Sequence, residues 1–349
     1  MSITSYIQAM PKAELHLHLE GAIPKETLLR IAEQNEISET LKHFNNWVQL
    51  LDQPDLARTY ENLRVFNGWL QEAEDLTRAV YDVGVMLAKQ NVRYAEISVN
   101  PTYYPQLNLS LDEFLNVIND GRSRVERAWG VRIQWVLTIP RDEPRRADDL
   151  ARWATGITAA RGGVVALGLS GRETDQPVGQ FERAFRIAEK KELPCVARAG
   201  DGQGAEGVLK TLEVLMPQRI TDGWGVLESE TALSMLTESA VTLGVSLTRA
   251  VKLGWVDSLA AYPLRQLVDN VPTFIGADMP AVYRTTLTDE YQHVVADCGF
   301  SVEELDELVL GAVRASFLPE DEKSALEAEF KQAFADLHAE HLPEGAAAN

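Results

Sequence analysis

The stretch PKAELHLHLEGAIPKETLLRIAEQN (residues 11–35) joins a short β-rich run, AELHLHL, to a segment with the apolar spacing of a helix. Seven further β-rich runs follow along the chain: RYAEISV (93–99), RIQWVLTI (132–139), VVALGLS (164–170), PCVARAG (194–200), RITDGWG (219–225), TLGVSL (242–247) and TFIGAD (273–278). Segments such as SLDEFLNVINDGRSRVERAW separate these runs and carry apolar residues at i, i+3 and i+4, the pattern of amphipathic helices. Eight strand-then-helix units in series predict an α/β fold, the (β/α)8 TIM barrel.

Two regions are longer than eight such units require. Residues 20–92 hold several helical stretches, which predict an elaborated first crossover that covers the mouth of the barrel. Residues after 280 form further helical segments and end in EGAAAN, and no linker divides the chain. We therefore expect one barrel domain over residues 1–349, with extra C-terminal helices and a frayed tail at 343–349.

Charge and cysteine content narrow the classes of function. A net charge of −19 repels polyphosphate and anionic lipid, so neither nucleic acid nor a membrane is an expected partner. Cys195 and Cys298 lie far apart without CxxC spacing, which argues against a disulfide framework and a zinc knuckle. The N-terminus lacks a signal-peptide pattern. We expect a cytoplasmic protein that binds a small molecule, and the sequence leaves a homo-oligomer open.

One motif suggests a different fold. Gly202, Gly204 and Gly207 follow the fifth β-rich run in GxGxxG spacing, and Asp222 lies about 20 residues further on, as in a dinucleotide-binding fingerprint. In a doubly wound domain this turn follows the first strand of its unit, and that strand is apolar throughout. Here the turn follows the fifth of eight strands, and Arg198 lies in that strand. The barrel is the favoured interpretation, and the dinucleotide site stays as the alternative.

Barrel enzymes place their chemistry at the C-terminal ends of the strands. His16 and His18 are two residues apart near the end of the first strand, so they project from one face and offer two imidazoles to one metal ion. Asp278 ends the eighth strand, which closes the barrel beside the first. These three residues predict a His-His-Asp metal set, with a chance HxH pair and a loop-capping Asp as the structural alternatives.

Several segments resemble the adenosine and adenine deaminase family, which are zinc-dependent barrels of the amidohydrolase type. The similarity begins with residues 11–35 and continues in order through YAEISVNP (94–101), ALGLSGRE (166–173), ARAGDGQGAEGVLKTLEVLMPQRITDG (197–223) and IGADMP (275–280). It therefore spans most of the chain. The resemblance implies the barrel fold, and it assigns the GxGxxG turn to the loop after the fifth strand.

The resemblance also shows that the site is changed. The family's fifth strand ends in His-Ala-Gly-Glu, in which the His is a zinc ligand and the Glu handles the proton; the matching residues here are Arg198 and Asp201. The family's His after the sixth strand, which positions the attacking water, is Asp222. Of two family Asp residues after the eighth strand, a metal ligand and a base, the chain has Asp278 followed by Met279.

The residues expected to face a substrate are partly kept. The family's Arg in the second-strand motif is Ser98, whereas the family glycine remains as Gly171. Glu20 is similar to the substrate-facing acid of the adenine-directed branch. The resemblance thus implies substrate-binding roles for Glu20 and Gly171, and Arg198 joins them if its charge contacts a ligand.

Arg198 decides whether a metal ion is expected. A guanidinium has no lone pair to give and stays protonated, so it cannot replace a ligating imidazole. In one arrangement it fills the metal position and pairs with Asp278 and Asp222. In the other it points outward, and a Zn, Mn or Fe ion is held by the two His residues with carboxylates, because one arginine cannot neutralise four acids at Glu20, Asp201, Asp222 and Asp278.

Three functions follow from these alternatives. The first is a diverged deaminase-like protein that keeps a pocket for a purine-like ligand and has lost ordinary adenosine or adenine deamination. The second is an active metal-dependent aminohydrolase with Asp201 as general acid or base and Asp222 orienting water. The third is metal-free and uses Arg198 to anchor an anion, with the same two Asp residues as acid and base. Whether the protein is an enzyme is left open at this point.

The other histidines lie outside the strand ends. His43 and His293 would have to reach the site from loops, whereas His338 and His341 are expected to face solvent on the last helix.

Overall fold

Eight parallel strands form one sheet in the order β1 to β8, so each strand pairs with the next along the chain. The structure is a computed structural model and describes residues 2–341. The strands are β1 (Lys12–His18), β2 (Val92–Val99), β3 (Arg132–Pro140), β4 (Val164–Ser170), β5 (Cys195–Arg198), β6 (Arg219–Thr221), β7 (Thr242–Val245) and β8 (Thr273–Ile275). With the surrounding helices they form the (β/α)8 TIM barrel that the sequence predicts.

The helices surround the barrel, and most of them lie between consecutive strands. They are α1 (Ile3–Ala9), α2 (Lys25–Gln34), α3 (Ile37–Thr40), α4 (Phe44–Asp52), α5 (Thr59–Asn67), α6 (Ala73–Lys89), α7 (Leu111–Trp129), α8 (Ala147–Ala154), α9 (Ile157–Arg161), α10 (Glu182–Glu189), α11 (Gly204–Leu215), α12 (Glu230–Glu238), α13 (Leu247–Lys252), α14 (Leu264–Asn270), α15 (Pro280–Tyr283), α16 (Leu287–Ala296), α17 (Val302–Ala315) and α18 (Glu320–His341). None of them, over residues 2–341, is long and apolar enough to cross a membrane.

Local sequence explains where a typical crossover helix begins and ends. The Ser110 hydroxyl accepts a hydrogen bond from the Glu113 N–H, and the Glu113 carboxylate accepts one from the Ser110 N–H, so α7 begins with a capping box. The helix ends where Gly130 adopts a φ of +72°, the left-handed conformation that glycine allows without strain. The face of α7 that carries Phe114, Leu115 and Ile118 is buried in the hydrophobic core.

Four predicted strands are shorter in the structure. The fifth and seventh runs, 194–200 and 242–247, form only β5 (Cys195–Arg198) and β7 (Thr242–Val245). The sixth and eighth β-rich runs were expected to extend to residues 225 and 278, but β6 ends at Thr221 and β8 at Ile275. Asp222 and Asp278 adopt φ values of +66° and +56°. A residue in the left-handed conformation ends the hydrogen-bonded pairing of a strand. At both positions the backbone therefore turns away, and the aspartate side chain is directed into the mouth of the barrel.

The elaborated first crossover contains α2 to α6 and reaches across to loops after later strands. The Arg64 side chain of α5 lies 2.7 Å from carboxylate oxygens of both Asp142 and Glu143, which follow β3. After β4, the Arg172 guanidinium pairs with Glu61 of α5 at 2.7 Å. These ion pairs tie α5 to the C-terminal side of the barrel, the side on which a barrel carries its site.

Backbone pairing closes the barrel between its first and last strands. The Asp278 N–H donates to the His16 carbonyl at 2.7 Å, and the His18 N–H donates to the Asp278 carbonyl at 2.8 Å. The buried Glu14 carboxylate accepts hydrogen bonds from the N–H groups of His16 (2.9 Å) and Ala277 (3.1 Å). Burial raises the pKa of Glu14 to about 8, although these hydrogen bonds oppose the shift.

At the C-terminal end of the chain, α17 packs on β8 and β1, and α18 packs on α17 and α1. The organisation of residues 1–349 as one domain stays a prediction, and the predicted tail at 343–349 lies outside the described residues.

Candidate functional site

His16, His18 and Asp278 meet at the C-terminal end of the barrel. One candidate ligand atom from each lies within 4.8 Å of the others, and all three residues are buried. The Nε2 atoms of His16 and His18 lie 3.5 and 3.6 Å from Oδ1 of Asp278. Strand alternation puts the two imidazoles on one face, and the backbone pairing of β1 with Asp278 puts the carboxylate between them.

The Arg198 side chain lies among these three residues. Its Nη2 donates to Oδ1 of Asp278 at 2.6 Å and lies 3.2 Å from Nε2 of His18. Its Nη1 lies 3.0 Å from Oδ2 of Asp222 and 4.0 Å from Oδ2 of Asp201. Arg198 is 1% exposed, so these contacts are made away from water, where ionic attraction is strongest.

A second arginine, which the sequence analysis missed, lies on the opposite side of the same carboxylates. Arg249 of α13 places Nε 2.9 Å from Oδ2 of Asp278 and Nη1 3.1 Å from Oδ1 of Asp222. Its Nη2 donates to Oδ2 of Asp201 at 2.9 Å. A signal was present in the sequence, since the residue follows the seventh strand and is the one charged residue within VSLTRAV.

The surroundings of Arg249 hold it in place. Its guanidinium carbon lies 4.5 Å from the centroid of the Trp255 ring, a cation–π distance. Its Nε also donates to the Tyr283 hydroxyl at 3.2 Å. With Arg198 on one side and Arg249 on the other, two arginines face Asp201, Asp222 and Asp278, so the expectation of a single arginine opposite the acids was wrong.

The charge states follow from burial and from these ion pairs. Burial alone would raise the pKa of Asp278, but the positive charges of Arg198 and Arg249 hold it well below its usual value. Burial raises the pKa of Asp222 to about 6, and the two arginines oppose that shift. Burial, reinforced by Arg198, lowers the pKa of His16 and of His18 to about 3, so both imidazoles are neutral at pH 7.

Comparison with known proteins gives the family. The sequence model described as adenosine deaminase matches residues 11–333, which is more than half of the chain. The chain belongs to the adenosine deaminase family. An adenosine deaminase of Enterococcus faecalis is 29% identical over 341 residues, covering 95% of this chain and 98% of that protein. The chain therefore matches a protein named adenosine deaminase over nearly the whole length of both.

Solved structures of similar proteins agree with the barrel. An adenine deaminase from Arthrobacter aurescens superposes with a TM-score of 0.84 at 26% identity, covering 93% of this chain and 99% of that one. An amidohydrolase from Burkholderia ambifaria with bound zinc has a TM-score of 0.87 at 21% identity, covering 97% and 95% of the two chains. Both superpositions show the same fold as this chain, and one of these neighbours was solved with zinc bound.

The site of this family member does not fit a divalent ion as it stands. A metal would need the lone pairs on His18 Nε2 and Asp278 Oδ1, and Nη2 of Arg198 already lies against both of these atoms. Arg249 lies against the second oxygen of Asp278. His16 Nε2 is buried without a hydrogen-bond partner among the described residues, which leaves one free nitrogen ligand. One free nitrogen beside two guanidinium groups is not a metal site.

Glu20, expected to converge with the aspartates, lies apart from them. Its carboxylate accepts a hydrogen bond from the Asn100 N–H at 2.7 Å, and no ion pair joins it to either arginine within the described residues. Burial raises the pKa of Glu20 to about 7. The residue is directed away because it lies in the turn after β1, where the backbone of the second-strand loop supplies its partner. It lines a cavity of about 40 Å³, together with Lys25, Asn62 and Phe66.

Gly171, the other residue expected to face a substrate, lines a different cavity. Its φ of +99° is a conformation for which a side chain is strained, and its position after β4 lies against the Arg141 backbone. The cavity measures about 250 Å³ and is lined also by Tyr60, Arg64 and Tyr103. Tyr60 and Arg64 belong to α5, so the first crossover forms one wall of this cavity.

The GxGxxG turn is occupied by a carboxylate of the chain itself. Oε2 of Glu173 accepts hydrogen bonds from the N–H groups of Gly202 (2.7 Å) and Gln203 (3.0 Å) at the start of α11. A Cβ on Gly207 would lie 2.4 Å from Oε1 of Glu173. The glycine spacing therefore accommodates Glu173 where a dinucleotide domain accommodates pyrophosphate, and the alternative of a dinucleotide site is wrong for this member of the adenosine deaminase family.

The other histidines do not supply a ligand to this site. His43 is exposed at the start of α4, and Nδ1 of His293 lies 2.8 Å from Oδ2 of Asp297, the residue that follows its helix. The prediction that His338 and His341 face solvent was wrong for His341, and His338 is only partly exposed. His338 Nε2 lies 2.8 Å from Asp306 and His341 is 9% exposed, because α18 packs its inner face on α17 and α1.

Proposed function

We propose that this protein is a diverged member of the adenosine deaminase family that binds a small purine-like molecule and does not carry out ordinary zinc-dependent deamination. The observation that carries the proposal is the position of Arg198. Its guanidinium contacts His18, Asp278 and Asp222 at 2.6 to 3.2 Å. The family chemistry needs a metal ion and an activated water at that place.

The loss of activity is expected to be nearly complete because several cooperating groups are changed together. Arg198 replaces a nitrogen ligand, Asp222 replaces the water-positioning histidine, and Met279 replaces the second aspartate. Such catalytic groups act as a unit. The groups that remain therefore support little deamination by themselves. Asp201, the candidate proton-handling residue, is held by Arg249 at 2.9 Å.

A purine-like ligand is supported by the relatives and by the cavities. The named relatives are an adenosine deaminase and an adenine deaminase, both of which take purine compounds. The cavity beside Gly171 has aromatic walls in Tyr60 and Tyr103, against which a planar ring would stack. Glu20 lines a separate cavity of about 40 Å³, which is too small for a purine ring, so its contact with a ligand stays a prediction from the resemblance.

The charges argue against an anionic ligand held by Arg198. Each of its two terminal nitrogens already faces a carboxylate, at 2.6 and 3.0 Å. Three aspartates face two arginines in this cluster, so the balance of formal charge is negative when the aspartates are ionised. A phosphate or carboxylate entering here would be repelled.

The second candidate is an active metal-dependent aminohydrolase with a rebuilt site. The closeness of His16, His18 and Asp278, within 4.8 Å, is the observation in its favour. It requires Arg198 and Arg249 to leave a buried cluster and give up three ion-pair partners.

The test is to express the protein with zinc, manganese and iron supplied, and to measure bound metal by mass spectrometry and deamination of adenosine and adenine by absorbance. A related adenosine deaminase purified in the same way is the positive control. We expect essentially no retained metal, background turnover, and a higher melting temperature with a purine ligand. Close to one tightly held metal per chain together with turnover would overturn the proposal and establish the second candidate.

A further inference from the structure

The carboxylates of Asp222 and Asp278 are each contacted by both arginines. Arg198 reaches Oδ1 of Asp278 and Oδ2 of Asp222, at 2.6 and 3.0 Å. Arg249 reaches the other oxygen of each, Oδ2 of Asp278 at 2.9 Å and Oδ1 of Asp222 at 3.1 Å. The four side chains form a closed ring of alternating charge in which each of the four carboxylate oxygens faces one arginine.

We infer that Arg249 acts together with Arg198 in place of a metal ion. The two guanidinium groups supply the two positive charges that a divalent ion would bring to these aspartates. The inference rests on the proposed function, because it explains how this member of the family is built without a metal. It adds that Arg249 excludes the metal ion as well, in addition to the replacement of a histidine by Arg198.

Charge balance requires the second arginine. Asp201, Asp222 and Asp278 are buried together, with side chains at most 8% exposed. With Arg198 alone, ionised aspartates would leave two uncompensated negative charges, and a buried unpaired charge is strongly destabilising. With Arg249 the excess falls to one, and Asp201 is the carboxylate nearest to solvent.

Arg249 is fixed by groups that do not belong to the ring. Trp255 lies on its guanidinium face at 4.5 Å, and the Tyr283 hydroxyl accepts from its Nε at 3.2 Å. Its side chain is 4% exposed. These contacts would remain if Arg198 were replaced, so Arg249 would still lie against Asp278 and repel a cation there.

The consequence is that a single reversion does not restore a metal site. Arg198→His returns the third imidazole that the family uses but leaves a guanidinium 2.9 Å from the carboxylate ligand. Arg249→Ala alone removes that guanidinium but leaves Arg198 against His18. Only the double variant R198H/R249A frees His16, His18, Asp278 and the new imidazole together.

The experiment measures zinc per chain after purification with excess zinc and dialysis, in the wild type, R198H, R249A and R198H/R249A. We expect essentially no zinc in the first three proteins and close to one zinc per chain in the double variant. Added zinc should raise the melting temperature of the double variant only. R198H/R249K is the matched control, since lysine keeps the positive charge and should again exclude zinc.

Each outcome separates the inference from the proposed function. Stoichiometric zinc in R198H alone, or in R198H/R249K, would overturn the role of Arg249 and leave the proposed function intact. Zinc in the wild type would overturn both. A double variant that is folded by circular dichroism but holds no zinc would also overturn the inference. If that variant does not fold, R198H/R249Q, which keeps a polar side chain of intermediate size, takes its place under the same expectations.

Discussion

The Asp278 N–H donates to the His16 carbonyl at 2.7 Å, so backbone pairing alone places the carboxylate beside the imidazole. Asp278 then accepts from the His18 N–H through its carbonyl at 2.8 Å. The His-His-Asp set is therefore assembled by barrel closure and needs no metal to form it. This explains how a constellation typical of a metal site persists where two arginines occupy the space.

Closure is sensitive to the size of residue 276. A Cβ on Gly276 would lie 2.5 Å from Cβ of His16 and 2.9 Å from the Glu14 carboxylate. We expect Gly276→Ala to push β8 from β1 and to lower the free energy of unfolding by about 1–3 kcal/mol, the usual cost of overpacking. Urea denaturation measures it. Gly179→Ala is the control, because nothing lies within 4 Å of its Cβ position; equal stability of the two variants would contradict the close approach.

Replacing Arg198 by an apolar side chain tests the ion cluster as a source of stability. Arg198→Met leaves Asp278 and Asp222 with Arg249 as their only cation, and we expect a loss of about 3–5 kcal/mol in the free energy of unfolding. Arg152→Met, which breaks an exposed pair with Asp149 at 2.8 Å, should cost less than about 1 kcal/mol. An R198M protein as stable as R152M in chemical denaturation would show that the buried ring carries no net stability.

The carboxylate in the glycine turn can be tested locally. Glu173→Ala removes the acceptor for the N–H groups of Gly202 and Gln203, and we expect a loss of about 1–3 kcal/mol together with faster amide exchange at those two residues. Hydrogen exchange followed by NMR or mass spectrometry measures it. Glu206→Ala, in the exposed first turn of the same helix, should leave both amides unchanged. If the two amides exchange as slowly in E173A as in the wild type, the turn does not depend on the Glu173 carboxylate.

Alkaline pH should destabilise the protein through buried tyrosines. Burial raises the pKa values of Tyr94 and Tyr291 above the ordinary value of 10.0, as it does for Tyr6, where a hydrogen bond to Asp306 adds to the shift. These hydroxyls keep their protons in the folded state at a pH where the unfolded chain loses them. The folded state then binds more protons, so stability falls as pH rises through 10.

Melting temperatures measured from pH 7 to pH 11, with tyrosine absorbance followed in parallel, check this expectation. Tyr291→Phe should reduce the alkaline loss at little cost at pH 7, because the Tyr291 hydroxyl has no hydrogen-bond partner among the described residues. Titration of all nine tyrosines near pH 10 without loss of structure would contradict the raised pKa values.

Periodicity and strand order were enough to predict the barrel, the approach of Asp278 to His16 and His18, and the strand-end position of Arg198. These follow from local rules, because alternation fixes which side chains share a face and the C-terminal ends of parallel strands meet at one mouth. The predicted lengths of the fifth to eighth strands were wrong. The sixth and eighth end at left-handed turns, at Asp222 and Asp278, which leave no periodic signal.

The sequence by itself determined the fold and the family resemblance, and through that resemblance it predicted that Arg198 stands where the family has a histidine. Only the tertiary structure decided that Arg249 joins the cluster, that Glu20 takes its partner from Asn100 instead, and that Glu173 fills the glycine turn. Each of these contacts joins residues from different strand-to-helix units. Their distances depend on how the barrel closes, and a one-dimensional pattern holds no measure of distance between such segments.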